Sequence, residues 1–262
     1  MPYVRVRGVN LYYEEHGSGP TLVVLHGLLA SVATAAASGL GAAELAAHGL
    51  RVITYDARGH GRSGYSTRAA DYCWSALADD LVGLLDALGI EQTSLYGTSM
   101  GAGACLTFAL CRPERVHRLV LRAPPPFEAD LGPARLRLAL VALLCKCFGT
   151  SLAARLLVPA TGSPERERMR CILRDQRRAA VVPAIRGLLF DRRQLPAERM
   201  SEIQSPALIL AHAGDVLHPL RSGQLLAERL RNAKLDVAPS VNHRRADADA
   251  LTRRVADFIK HG

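Results

Sequence analysis

The clearest candidate for chemistry lies in the stretch SLYGTSMGAG, positions 94–103, where Ser99 stands midway between Gly97 and Gly101. A serine hydroxyl is a weak nucleophile near neutral pH and needs a neighbouring base to take its proton. It must also project from the backbone, as it does where a strand turns abruptly into a helix and nearby positions lack side chains. An apolar run precedes Ser99 and a helix-compatible run follows it. The pattern therefore predicts a nucleophile on a strand-to-helix turn.

A carboxylate that could orient the base follows a later strand-like run. The segment ALILAHAGDVLHP places Asp215 in the loop after that run, four residues before Pro219. The carboxyl edge of a parallel sheet is where loops from different strands meet, so this position suits a partner of Ser99. Four other carboxylates stay open as alternatives: Glu128, Asp130, Asp191 and Asp236.

The base must be one of nine histidines. His243 is the first choice, because it follows the last strand-like run and precedes the C-terminal helix. The resulting order is nucleophile, acid and base, with each residue at the carboxyl end of its own strand. His218 is the second choice. It lies close to Asp215 in sequence, and we expect that it would have to double back to reach the serine.

Two backbone N–H groups must converge on the oxyanion that forms during acyl transfer. The N–H of Met100, directly after the nucleophile, is the first expected donor, and it gains from the helix N-terminus that begins there. The loop LHGLLA after the first buried strand offers the second, the N–H of Leu28. We expect structural roles in neighbouring loops for four further polar residues: His26, Asp56, Arg58 and His60.

Strand-like and helix-like segments alternate along the chain, which predicts a mainly parallel sheet with helices packed on it. The stretch VRVRGVNLYYEEHG indicates an opening hairpin, and TLVVLHG is typical of a strand buried on both faces. Residues 126–203 differ, because they are helical, rich in Arg and Leu, and without a strand signal. We interpret them as a helical insertion in a core formed by 1–125 and 204–262. Within it, the stripe 136–148 is expected to pack internally, although an acyl-binding groove is an alternative.

Charge and composition limit the classes of molecule that this chain is expected to bind. The insertion carries 14 Lys and Arg against 8 Asp and Glu, and this excess of positive charge, 14 − 8 = +6, is most of the formal net charge of +9. These cations alternate with acids and apolar residues and form no aromatic-laced stripe, so a solvated helix face is expected and nucleic-acid binding is not. No metal-ligand spacing and no GxGxxG after a strand is present, so neither a metal nor an organic cofactor is expected.

The remaining signals concern location. No apolar run approaches the ~20 residues that a membrane span needs, so no span is expected, and the N-terminus lacks the apolar core of a secretion signal. A cytoplasmic location is expected. The six cysteines form no CxxC pair and lie mostly in apolar contexts, which predicts reduced, mostly buried thiols.

Five segments together resemble the α/β-hydrolase superfamily: VVLHGLLAS, YDARGHGRS, YGTSMGAG, ILAHAGDVLHP and the closing VNH. The chain is most similar to its lidded serine hydrolases, which include enol-lactonases, meta-cleavage-product hydrolases and carboxylesterases. The resemblance implies an eight-stranded, mainly parallel sheet with residues 126–203 as a helical lid. It also implies that Ser99, His243 and Asp215 form the triad and that Leu28 and Met100 donate to the oxyanion.

The implied activity is hydrolysis of a small or medium carboxylic ester or lactone through an acyl-enzyme. Cleavage of a carbon–carbon bond or a thioester with the same triad is an alternative, as is a non-catalytic binding protein of the same fold. The expected partner is a small-molecule acyl substrate, and a homodimer is compatible with the sequence.

Overall fold

The computed structural model describes residues 2–36, 41–126, 132–158, 164–189, 197–215, 217–240 and 248–262. Its strands are β1 (Tyr3–Val6), β2 (Val9–His16), β3 (Thr21–Leu25), β4 (Arg51–Tyr55), β5 (Thr93–Thr98), β6 (Val116–Arg122), β7 (Ala207–His212) and β8 (Ala233–Ala238). Its α-helices are α1 (Val32–Ala36), α2 (Ala42–Ala47), α3 (Trp74–Ala87), α4 (Met100–Cys111), α5 (Gly132–Leu157), α6 (Pro164–Arg174), α7 (Arg178–Leu189), α8 (Leu220–Arg229) and α9 (Ala248–His261). Short 3-10 helices cover Ala69–Tyr72, Pro113–Arg115 and Ala197–Glu202.

The eight strands form one sheet in the order β1-β2-β4-β3-β5-β6-β7-β8. The opening hairpin β1–β2 and the pair β2–β4 are antiparallel, and the pairs from β4 to β8 are parallel. The predicted mainly parallel sheet of eight strands is therefore confirmed. Because β3, β5 and β7 run in the same direction, the loops that follow them leave from one edge of the sheet.

Strand β3 shows why the sheet is covered on both faces. Its residues alternate between two hydrophobic cores: Val23 and Leu25 pack with α3 and α4, whereas Leu22 and Val24 pack with α2 and α9. All four are buried. A fully buried Val or Leu side chain contributes roughly 1.5–3 kcal/mol relative to an exposed one. The unbroken apolar run of β3 is thus the consequence of having a core on each side.

The helices α5, α6 and α7 lie between β6 and β7 in the chain and enclose a third, smaller core. Buried Cys145, Leu173 and Ile185 belong to it, and Leu28 and Leu29 from the loop after β3 pack against it. We refer to α5–α7 as the inserted helices. The predicted insertion, 126–203, includes three stretches outside the described ranges, 127–131, 159–163 and 190–196, and its extent stays a prediction.

Helix α5 departs from one expectation. Its stripe 136–148 packs internally only in part, because Ala142 and Cys145 are buried whereas Leu136 and Leu143 are exposed. One segment of the described residues, Arg135–Leu157, is long and apolar enough to cross a membrane by length and composition only, and a single such helix is weak evidence of a span.

The six cysteine thiols are free, and the expectation that most are buried is wrong for this fold. Cys105 and Cys145 are buried, but Cys111 and Cys147 are exposed on helix surfaces, and the other two are half-buried. Apolar neighbours in sequence do not determine which face of a helix a cysteine occupies.

Candidate active site

Ser99 occupies the one-residue turn between β5 and α4. Its backbone angles are φ 52° and ψ −109°, in a region that non-glycine residues rarely adopt. Two backbone hydrogen bonds hold it there: its N–H donates to Arg122 O at 3.0 Å, and its carbonyl accepts from Gly103 N–H at 3.0 Å. Strain of this kind persists only where the surroundings impose it, and it is concentrated at functional sites.

The glycines on either side of Ser99 are required by close backbone packing. A Cβ on Gly97 would lie 2.4 Å from Gly101 O, and a Cβ on Gly101 would lie 2.3 Å from Leu25 O. Both distances are far shorter than van der Waals contact. Side chains are therefore excluded where helix α4 starts against β3 and β5.

The Ser99 hydroxyl contacts a histidine ring, and the same ring contacts a carboxylate. His218 Nε2 lies 2.7 Å from Ser99 Oγ, and His218 Nδ1 lies 2.9 Å from Asp215 Oδ2. A neutral His218 that donates Nδ1–H to the carboxylate leaves Nε2 as an acceptor for the serine O–H. This arrangement of hydroxyl, imidazole and carboxylate is the one that can activate a serine for acyl transfer.

The loop after β7 folds back on the Asp215 carboxylate. Asp215 Oδ1 accepts the N–H of Leu217 at 2.8 Å and of His218 at 3.0 Å. An aspartate that accepts backbone N–H groups two and three residues ahead closes a tight turn, and here the turn brings the imidazole back onto Oδ2. The expectation that His218 is poorly placed was therefore wrong. The spacing Asp-x-x-His before Pro219 was the signal that could have found it.

A further histidine, which sequence reasoning missed, contacts the same carboxylate oxygen. His212 ends β7 and is buried, and its Nε2 lies 3.1 Å from Asp215 Oδ2. Burial alone would raise the pKa of Asp215, but hydrogen bonds from the His218 ring and from the N–H groups of His218 and Leu217 lower it to about 2. Asp215 is thus held as a carboxylate at neutral pH.

The first-choice base of the sequence, His243, lies in 241–247, outside the described residues. Its role stays a prediction. Among the alternative acids, Glu128, Asp130 and Asp191 also lie outside them. Asp236, on β8, forms an ion pair with Arg254 of α9.

The two expected oxyanion donors belong to two segments that adjoin Ser99. Met100 is the first residue of α4, where N–H groups have no acceptor within the helix. The loop that carries Leu28 passes close to the serine, because a Cβ on Gly27 would lie 3.6 Å from Ser99 Cβ. Gln176, after α6, donates to Leu29 O at 2.8 Å and so ties this loop to the inserted helices.

His26 and His60 lie behind the site and are buried, with ring centroids 5.1 Å apart. His26 accepts the Ala57 N–H at Nε2, at 2.9 Å, and its Nδ1 lies 2.8 Å from Gly27 O. Burial lowers the pKa of His26 to about 4, and burial with the nearby His26 lowers that of His60 to about 3. Both rings are therefore neutral hydrogen-bonding groups, in agreement with the structural role expected for them.

The loop after β4 is braced by buried charges. Asp56 accepts the N–H of Val32 at 2.7 Å and of Arg62 at 2.8 Å. Arg58 makes a two-bond ion pair with Asp80 of α3, at 2.6 and 2.8 Å, and both side chains are almost fully buried. Removing one partner of such a pair leaves a buried charge uncompensated.

Across the described ranges, no group of three His, Cys, Asp or Glu side chains is placed to hold a metal ion.

Comparison with known proteins identifies the family to which this fold belongs. The family model described as the alpha/beta hydrolase fold matches residues 20–144. A protein of Caulobacter sp. (strain K31), named as a carbamate hydrolase, RutD, is 34% identical over 210 residues, 74% of each chain. The chain belongs to the α/β-hydrolase superfamily.

Other members of the superfamily are similar over nearly the whole length. A Pseudomonas putida protein named 2-hydroxy-6-oxononadienedioate/2-hydroxy-6-oxononatrienedioate hydrolase 2 is 29% identical over 97% of this chain and 92% of its own. The enol-lactonase structure from Burkholderia xenovorans LB400 superposes with a TM-score of 0.82 over 99% of this chain and 100% of its own, at 23% identity. The structural similarity establishes the fold, and the family membership makes this chain a hydrolase of that superfamily.

Proposed function

We propose that this α/β-hydrolase is a serine hydrolase that cleaves a small or medium carboxylic ester or lactone through an acyl-enzyme. The observation that carries the proposal is the 2.7 Å distance between Ser99 Oγ and His218 Nε2, with Asp215 hydrogen-bonded to the other ring nitrogen. The strained backbone of Ser99 supports it, because that strain presents the hydroxyl to the histidine.

In the proposed reaction, Ser99 Oγ attacks the substrate carbonyl carbon as its proton passes to the imidazole. Asp215 stabilises the imidazolium that forms, and the N–H groups of Met100 and Leu28 stabilise the oxyanion. The tetrahedral intermediate collapses when the bond to the leaving oxygen breaks and the imidazolium gives that oxygen its proton. Water, activated by the same imidazole, then releases the acid and restores Ser99.

Two histidines are candidates for the base. His218 is supported by its distances to Ser99 and Asp215, and His243 by its position after the last strand in the sequence. The distances favour His218, because a base must lie within hydrogen-bond reach of the proton it removes. Single replacement of each histidine separates the two.

The inserted helices are proposed to act as a lid over Ser99. Support comes from their contact with the oxyanion loop, where Leu28 and Leu29 pack against the core of α5–α7 and Gln176 holds Leu29 O. A segment that rests on this loop can shape the acyl-binding space next to the nucleophile. Residues 126–203 are the proposed extent of the lid.

Cleavage of a carbon–carbon bond is the second candidate reaction. It is favoured by one observation, the whole-length similarity to the Pseudomonas putida protein whose name specifies hydrolysis of 2-hydroxy-6-oxo dioates. The same triad and oxyanion donors would serve, with a carbon leaving group in place of an alcohol. A thioester is a further variant of the same chemistry.

The proposal is tested by hydrolysis of p-nitrophenyl esters, lactones, thioesters and a 2-hydroxy-6-oxo dioate by wild type and Ser99→Ala. We expect turnover of at least one class, falling roughly 10³- to 10⁶-fold in Ser99→Ala. Ser201→Ala, which changes an exposed serine far along the chain, is the matched control and should keep full activity. Equal activity in Ser99→Ala and wild type would overturn the assignment, and no turnover of any class would favour a binding protein.

A further inference from the structure

Helix α5 carries apolar side chains that nothing in the described chain covers. Before the kink at Gly149, exposed apolar residues recur at helical spacing, at positions 136, 140, 143 and 147, and exposed cations at 137 and 146 and exposed Phe148 lie beside them. After the kink, Leu152 and Leu156 are exposed four residues apart. Leu136 is 72% exposed and Leu143 is 55% exposed, which is a large exposure for leucines that share one side of a helix. We refer to the exposed apolar residues before the kink as the α5 outer face: Leu136, Leu140, Leu143, Cys147 and Phe148. Leu152 and Leu156 belong to the separate helical segment after Gly149.

Cations border the α5 outer face at regular positions. Exposed Arg137 lies three residues before Leu140, and exposed Lys146 lies three after Leu143. In the segment after the kink, exposed Arg155 lies three after Leu152. Residues three apart are neighbours on a helix surface. The sequence from 131 to 164 contains no Asp or Glu at all. Within α5 itself, every charged side chain is therefore a cation.

The opposite side of α5 is fixed in the protein. Ala142, Cys145 and Ala153 are buried in the core shared with α6 and α7. A transmembrane orientation would remove these contacts, and the kink at Gly149 interrupts the straight helix that a span needs. Helix α5 can therefore contact an apolar layer only along its exposed face, with its axis parallel to that layer.

A second copy of the chain is a poor occupant for this face. In a two-fold dimer the same patch lies on both subunits, so the two sets of cations would face each other across the interface. Because 131–164 contains no carboxylate, α5 offers no partner for these cations, and the contact between the two copies of α5 is repulsive. Anionic groups beside an apolar layer complement both properties of the face.

We propose that the α5 outer face binds the surface of an anionic lipid bilayer, with its leucines in the acyl boundary and its cations at the lipid phosphates. Helices that lie in a membrane interface combine an apolar side with Lys and Arg at its border, and their affinity grows with apolar area and with anionic lipid. The inserted helices contact Leu28 and Leu29 through their buried core, so the element that carries the bound surface adjoins the oxyanion loop on its other side.

The test is sedimentation of the full chain with vesicles of phosphatidylcholine alone or mixed with phosphatidylglycerol. We expect binding to the mixed vesicles only. The double variant Leu136→Glu/Leu143→Glu should lower the partition coefficient at least about tenfold, and Lys146→Ser should lower it about fivefold. Because these positions are exposed, the thermal unfolding midpoint should stay unchanged, which separates lost binding from lost folding.

Matched controls come from the edge strand β8. Val237→Glu changes an exposed apolar residue and Lys234→Ser an exposed cation, both away from α5. These variants should bind vesicles as wild type does. Three results would each overturn the proposal: no preference for anionic vesicles, equal losses in the β8 and α5 variants, or a wild-type dimer in sedimentation equilibrium that Leu136→Glu/Leu143→Glu converts to monomer.

Discussion

At the scale of single residues, Ser99 keeps a positive φ that glycine would adopt at no cost, yet a side chain is present there. Its backbone is held by hydrogen bonds to Arg122 and Gly103, and its hydroxyl contacts His218. Strain at a side chain that must be presented to a base is a feature of pre-organised sites. The proposed chemistry gives this strain a function.

The two candidate bases lead to opposite results in single variants. We expect His218→Ala to lower kcat/KM roughly 10³- to 10⁵-fold, because the Ser99 proton then has no acceptor. His243→Ala should keep kcat/KM within about fivefold of wild type, since small changes are typical of residues outside the reacting unit. Initial rates on the best ester substrate measure both.

His261→Ala, at the end of α9, is the control for loss of any histidine. A large loss in His243→Ala with near-normal activity in His218→Ala would show that the sequence order identified the base correctly. Large losses in both would mean that the two histidines act together. In either case the single-loop relay from Asp215 to His218 would be wrong.

The candidate site was only partly predictable. Ser99 and Asp215 could be recognised because local patterns define them, a glycine-flanked turn and a loop after an apolar strand. His218 was underrated, since its position depends on backbone N–H groups closing a turn on Asp215. The contact of His212 with the same carboxylate depends on tertiary packing at the end of β7, which no local pattern encodes.

At the scale of elements, the turn from β5 to α4 is held against β3 by direct backbone contact. Gly101→Ala would place a methyl carbon 2.3 Å from Leu25 O, where no flexible side chain can yield. We expect it to lower the free energy of unfolding by about 3 kcal/mol, as overpacking in a rigid core does. Urea unfolding followed by circular dichroism measures the change.

Gly27→Ala is the matched control on the neighbouring loop. Its added methyl would meet nothing closer than 3.5 Å, an ordinary contact. Its cost should stay below about 1 kcal/mol. If Gly101→Ala were as stable as Gly27→Ala, the packing of α4 against β3 would be looser than described here.

The elements were more predictable than the contacts between them. Burial on both faces of the sheet requires apolar residues at consecutive positions of a strand, as in β3. Such a run is visible in the sequence, and so is its alternation with helical segments. The two sides of α5 left no such trace, because apolar residues lie all round it. Only the packing of Cys145 and its neighbours shows which side is covered.

At the scale of the whole molecule, two buried histidines make stability depend on pH. Unfolded His26 and His60 would titrate near 6.5, but burial holds their folded pKa values at about 4 and about 3. As pH falls below the unfolded value, only the unfolded chain gains protons, so stability falls. As the pH falls from about 7 to about 5, each ring should lower the free energy of unfolding by roughly 1–2 kcal/mol.

His60→Gln removes one of these titrations and keeps a polar side chain. Its free energy of unfolding, measured in urea at neutral and mildly acidic pH, should depend on pH about half as steeply as that of wild type. His117→Gln, which changes an exposed histidine of β6, should follow the wild-type curve. An unchanged pH dependence in His60→Gln would contradict the buried, neutral state assigned to this ring.

The most direct test of the central claim is covalent labelling by a fluorophosphonate, which reacts with an activated serine and leaves a stable phosphonyl adduct. The account predicts one adduct per chain by intact mass, mapped by peptide sequencing to Ser99, formed equally by Ser201→Ala and absent from Ser99→Ala. Labelling that persists in Ser99→Ala, or that maps to another serine in wild type, would contradict it.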